Sequence, residues 1–213
     1  MNAAKDYLLI VEDDPDILRL LDAALSFRGY KVASARNGKE ALEIIEVEQP
    51  AIIIADIMMP KLDGFGLIHR MRIHPETRDI PVVFITATYI AKEDRAFAFH
   101  LGATRFFQKP LDLEHFLGTI KDLLEQGLPT LIQPMSDLEF YHEYRRRLEA
   151  KREEKIKQIA RDQRLLWMKP DKDDESLQVS LRQAIRDRDE LGVLLEQIYA
   201  QLEKYASSNP LRP

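Results

Sequence analysis

Asp56 closes the apolar run Ala51-Ile52-Ile53-Ile54-Ala55, and the run Leu8-Leu9-Ile10-Val11 leads straight into Glu12-Asp13-Asp14. Carboxylates in these places are candidates for chemistry. A short apolar run rich in β-branched residues reads as a buried strand of a parallel sheet. Such sheets bind ligands in the crevice beyond the carboxyl ends of their strands. In mid-strand an acid would be buried without a partner, whereas at the end it is placed for use. Three adjacent acids repel one another unless positive charge is near. A hard cation such as Mg²⁺ meets that need, because it takes a few carboxylates, a carbonyl and water. Taken alone, Glu12-Asp13-Asp14 also suits an N-cap cluster for a helix that starts at Pro15. Thr86 puts a hydroxyl at the end of Pro81-Val82-Val83-Phe84-Ile85, and Lys109 follows a strand-like run over 104–108.

The elements that must position these residues alternate regularly. Strand patterns cover Tyr7–Val11, Lys31–Ser34, Ala51–Ala55, Pro81–Ile85 and Thr104–Gln108. Helical patterns cover Pro15–Phe27, Gly38–Glu48, Phe65–Arg72, Glu93–Leu101 and Leu113–Gln126. Gly29 and Gly102 supply helix-stop signals. This alternation predicts an α/β doubly wound, five-stranded parallel sheet of flavodoxin-like order 2-1-3-4-5, with helices on both faces. In that order the first and third strands are neighbours, so Asp13 and Asp56 fall side by side at one edge.

The pattern breaks at Gly127-Leu128-Pro129 and Pro134. The predicted division is a first domain over 1–127, a linker over 128–135 and an all-α region over 136–213. Ser136 to Met168 reads as one long helix, opened by the capping-box pattern Ser136-x-x-Glu139. Asp171 to Asp174 reads as a turn, and a second helix runs from about Ser176 to Tyr205. In that second helix Leu177, Leu181, Ala184, Arg188, Leu191, Leu195, Ile198, Leu202 and Tyr205 form a heptad seam. The first long helix has a weaker one: Leu138, Tyr141, Leu148, Ile156, Ile159 and Leu166. From 145 to 169 there are ten Lys/Arg against four Asp/Glu, and from 171 to 203 there are four against nine. Opposite charge on adjacent helices predicts an antiparallel hairpin or coiled coil.

Composition narrows the classes of function. The 213 residues are 45% hydrophobic and 31% charged, with no cysteine, which excludes disulfides and thiolate chemistry. The net charge of −5 argues against nonspecific nucleic-acid binding by the chain as a whole. The first residues lack the apolar core of a signal peptide, and no run has the length of a membrane helix. The expected address is the cytoplasm, with no membrane partner.

Together, Ile10-Val11-Glu12-Asp13-Asp14-Pro15, Asp56-Ile57-Met58-Met59-Pro60-Lys61-Leu62-Asp63-Gly64, Ile85-Thr86-Ala87 and Gly102-Ala103 through Lys109-Pro110 closely resemble the receiver domain of two-component response regulators. The resemblance covers about residues 5–126. It implies that Asp56 is the phosphoacceptor and that a histidine kinase or phosphotransfer protein is the donor. It also implies Mg²⁺ held by Glu12, Asp13, Asp56 and the backbone carbonyl of Met58, with Glu12 acting mainly through bound water. Lys109 pairs with Asp56 and then with the phosphoryl oxygens, Thr86 hydrogen-bonds one of those oxygens, and Phe106 is the switch aromatic. Lys109-Pro110 is a candidate cis peptide. Thr104-Arg105 stand where winged-helix relatives carry an acidic pair, so their dimer contacts do not transfer.

The helical region resembles no output domain. The expected chain is therefore no enzyme beyond its own phosphoryl transfer and dephosphorylation. Its output is a helical module that docks an unknown downstream protein or forms a homodimer through the C-terminal helices. The alternative is a DNA-binding transcriptional regulator using the basic helix 145–164. A phosphotransfer-type tail is disfavoured because His142 is the only histidine of that half.

Overall fold

The computed structural model describes residues 7–86, 92–126, 134–168 and 174–208. The chain divides into two compact units, Met1–Met135 and Ser136–Pro213. The first holds β1 (Tyr7–Val11), α1 (Pro15–Phe27), β2 (Lys31–Ala35), α2 (Gly38–Val47), β3 (Ile52–Ala55), α3 (Gly64–Ile73), β4 (Val82–Thr86), α4 (Lys92–His100), β5 (Arg105–Gln108) and α5 (Leu113–Gln126). The five strands form one parallel sheet in the order β2-β1-β3-β4-β5. This is the flavodoxin-like order expected from the alternation of elements.

The central strands are almost wholly apolar because both faces are covered. Leu8, Ile10, Ile52, Ile54, Val83 and Ile85 pack against Leu21 and Leu25 of α1 and Phe116 and Ile120 of α5. Phe65 of α3 meets Phe84 of β4 edge-on at 6.0 Å between ring centres, and Phe97 of α4 at 5.2 Å. Local chemistry sets the element ends. Asn37 caps α2 through the N–H groups of Lys39 and Glu40 at 3.1 Å. After α1, Gly29 adopts φ +85°, a left-handed conformation that suits glycine.

The second unit is a pair of long helices, α6 (Asp137–Met168) and α7 (Glu175–Ser208). They run antiparallel, since Tyr205 donates to Asp137, Tyr199 to Glu149 (2.6 Å) and Ser180 to Asp162 (2.9 Å). Ser136 Oγ accepts the N–H of Glu139 at 3.3 Å, one half of the expected capping box. Ala184, Leu191, Leu195 and Ile198 of the α7 seam are buried. The α6 seam differs from expectation. Leu138 and Ile156 stand 48% and 45% exposed, while Phe140, Tyr144, Leu148, Ile159 and Asp162 are buried. The stacked rings of Phe140 and Tyr144, 5.3 Å apart, bury more area than Leu138 could. The expected linker residues 127–133, most of the turn before Asp174, the N-terminal residues 1–6 and the tail beyond 208 lie outside the described residues.

Candidate functional site

The sheet brings the acids to one edge. Asp56 follows β3, and its N–H donates to the carbonyl of Val11 at 2.9 Å; the N–H of Glu12 in turn donates to Ala35 at 3.0 Å. The hydrogen-bond ladder therefore runs one step past the strands and sets Glu12 and Asp56 side by side. Glu12, Asp13 and Asp56 each offer a carboxylate oxygen, all within 4.8 Å of one another. Asp14 turns away. It is the N-cap of α1 and accepts from Asp16 N–H at 2.8 Å and Ile17 N–H at 3.3 Å. The acidic triplet is thus divided: Asp14 caps the helix, while Glu12 and Asp13 gather with Asp56.

Lys109 arrives from beyond β5. Its N–H donates to the carbonyl of Thr86 at 2.7 Å, next to the Thr86–Gln108 pairing of β4 and β5, and the Lys109-Pro110 peptide is cis. Its Nζ donates to Glu12 Oε2 at 2.9 Å and stands 3.8 Å from Asp56 Oδ1. The expected Lys109–Asp56 pair is present as an ion pair, but the hydrogen bond goes to Glu12. Among the described residues, the buried Oδ1 of Asp56 accepts no hydrogen bond.

This electrostatic imbalance moves the acids. Burial pushes the Asp56 carboxyl up to about 7; Glu12 and Asp13 add to the rise and Lys109 opposes it. Burial also raises Glu12 and Asp13, again against Lys109. An under-coordinated buried carboxylate beside two more is a donor set that suits a hard divalent cation. The pocket fits Mg²⁺ on that ground.

The remaining candidates lie around the same edge. Thr86 is the last residue of β4 and is buried. Met58 lies two residues beyond Asp56 with its side chain exposed. Phe106 is half-buried on β5, and the guanidinium of Arg95 on α4 lies 5.8 Å from its ring centre and 5.8 Å from that of Phe99. The Arg95–Phe106 contact had no sequence signal, because cation–π pairs across two elements have no fixed spacing. Gly64 has a clear structural role. A Cβ there would come within 2.5 Å of the Asp56 carbonyl oxygen and 2.8 Å of the Phe84 ring. Its N–H holds the carbonyl of Ile57 at 2.9 Å, and Asp63 caps α3 by accepting from Gly66 N–H at 2.8 Å. The loop after Asp56 is therefore clamped from both sides.

A doubly wound sheet with an acidic, lysine-bridged pocket beyond its carboxyl edge defines a phosphoryl-receiver class of domain. The response regulator receiver domain profile matches residues 8–121, and the chain belongs to that family. It is 36% identical over 126 residues to "Probable transcriptional regulator ycf27" of Cyanophora paradoxa, covering 59% of this chain and 51% of that protein. It is similar to the solved signal receiver domain of a signal transduction histidine kinase from Syntrophus aciditrophicus. There the TM-score is 0.54 and the identity 32%, over 59% of this chain and 94% of that one. The CheY-like receiver domain protein of Methanospirillum hungatei gives a TM-score of 0.53 at 29% identity, over 57% and 94%. The chain spans about half the length of the curated relatives it matches. No helix among the described residues is long and apolar enough to cross a membrane.

Proposed function

We propose that the chain is a response regulator that takes a phosphoryl group on Asp56 from a histidine kinase or phosphotransfer protein. It signals through the α6–α7 hairpin, a protein-interaction module. The carrying observation is the meeting of Glu12, Asp13 and Asp56 within 4.8 Å, with Lys109 reaching two of them.

In the step, an Asp56 oxygen bonds to phosphorus as the P–N bond to the donor imidazole breaks. The electron pair returns to the imidazole, which takes up a proton from solvent. Glu12, Asp13, Asp56 and the Met58 carbonyl would hold Mg²⁺, whose charge offsets that of the phosphoryl oxygens. Lys109 transfers its hydrogen bond from Glu12 to a phosphoryl oxygen, and the Thr86 hydroxyl donates to another. Phe106 then repacks, and its contact with Arg95 goes with it. Chemistry is confined to the chain's own carboxylate, with no turnover of an outside substrate. A kinase partner places the work in the cytoplasm.

The DNA-binding alternative draws on the name of the Cyanophora relative, half of whose length is covered. The charges on α6 speak against it. Arg145 pairs with Glu149, Lys157 with Glu153 and Arg161 with Asp162 along α6, and Lys155 pairs with Asp187 across the hairpin, so these four of the ten basic side chains of 145–169 already have acidic partners. The test is intact mass after exposure to a phosphoramidate donor with Mg²⁺. The wild type gains one phosphoryl group, and Asp56→Asn and chelator-treated wild type gain none. Equal uptake by Asp56→Asn would sink the reading. Salt-sensitive retardation of duplex DNA by the full chain would favour the alternative.

A further inference from the structure

A helix that packs on one neighbour needs an apolar stripe at the a and d positions alone. A wider stripe that adds e or g marks a helix inside a larger bundle. The α7 helix carries the wider one. Beside its seam, Ile185, Gly192, Tyr199 and Ala206 follow one another at seven-residue spacing along one flank, and both Tyr199 and Ala206 are exposed. On α6, Leu138, Ile156 and the 86% exposed Trp167 fall on one line at about 100° per residue. Between α6 and α7 lies a groove of about 380 Å³, lined by Ile156, Leu195 and Tyr199 and rimmed by Glu149, Arg152 and Glu196. Gly192 forms its notch. A Cβ there would meet only Arg152 Nε, at 4.0 Å.

We propose that this face binds the same face of a second copy of the chain, closing a two-fold four-helix bundle. The inference rests on the reading of the helical half as an interaction module and names its partner. Charge selects a second copy. The stretch 145–169 is basic and 171–203 acidic. A two-fold axis along the bundle sets every helix antiparallel to both neighbours. Each basic α6 then lies between its own acidic α7 and that of the other copy, whereas a partner of one sign meets like charge on one of the two helices. Size agrees. Two helices, each roughly 10 Å across and about 48 Å long, present on the order of 1,000 Å². A stable dimer buries about 800 Å² from each partner.

The test is mass by light scattering on the full chain, with and without beryllofluoride and Mg²⁺. It compares wild type, Asp56→Asn, Ile156→Glu and Gly192→Gln. The last places a polar side chain in the notch where no atom crowds it, and glutamine favours helix over glycine, so helix content by circular dichroism holds or rises. Expected is twice 24.7 kDa for wild type and Asp56→Asn. Expected for the two groove variants is dimerisation at least about tenfold weaker, as for an interface anchor, with helix content kept. A wild type that stays monomeric in both conditions overturns the proposal. So does a dimer whose mass neither groove variant changes, since it then uses another face. Failure of the phosphoacceptor reading shows separately, as absent phosphoryl uptake by intact mass, and leaves the Asp56→Asn dimer in place.

Discussion

The two halves use charge in opposite ways. In the receiver half, the sheet gathers Glu12, Asp13 and Asp56 at one edge, and among the described residues one lysine amine answers three acids. In the helical half, charges are spread along two helices and answer one another, as Lys155 and Asp187 do at 2.8 Å. An unbalanced cluster with two of its three acids buried suits completion by something that comes and goes. A balanced, spread arrangement sets register and choice of neighbour. On the proposed reading the first is a site for chemistry and the second an address.

The largest way to break this contrast is Asp56→Asn. Phosphoryl uptake disappears, while the helix content of the hairpin, read by circular dichroism, stays unchanged. Next is Ile54→Ala, which removes a fully buried side chain of β3. It costs about 4 kcal/mol in urea unfolding and moves the receiver transition alone if the two units melt separately. Lys109→Met follows. Phosphoryl uptake from a small donor slows about 10²-fold, the effect of losing one charge-stabilising donor, read by time-resolved intact mass.

A smaller effect concerns pH. The Asp56 carboxyl titrates near 7 when folded against 3.8 for its ordinary value. Between those values the folded chain holds a proton that the unfolded chain has released. Stability from this group is therefore full below about pH 4 and falls as pH rises to about 7. At pH 8 in chelator, Asp56→Asn is more stable than wild type, and the gap closes at pH 4 or on adding Mg²⁺. Thermal melts at the two pH values check it. Smallest is Lys155→Met, which removes a half-exposed ion pair of the hairpin and costs about 0.5 kcal/mol.

Much of the receiver was legible because its signals are local. β1, α1 and α5 have the bounds that their patterns predict, and the other elements shift by a residue or two. Residues at the ends of apolar runs could be assigned to one edge once strand order was known. The hairpin was less legible. Leu138-Tyr141-Leu148 and Phe140-Tyr144-Leu148 are both helical spacings, and a helix without a known neighbour does not say which it buries. Asp162, an acid sunk in a seam, had no sequence signal because its partner Ser180 lies 18 residues away on the other helix.

By itself, the sequence determined the strand-and-helix alternation, the family and the identity of the acids, because these rest on short-range patterns of burial and turn chemistry. Only the tertiary structure decided which acid did which job. Asp14 went to a helix end, Glu12 took the hydrogen bond of Lys109, and Asp56 was left buried with an oxygen that no described residue answers. That division depends on how two ladder bonds extend past β1 and β3 and on where β5 delivers a lysine from 53 residues farther along the chain. Such placement comes from packing, and no spacing along the chain encodes it.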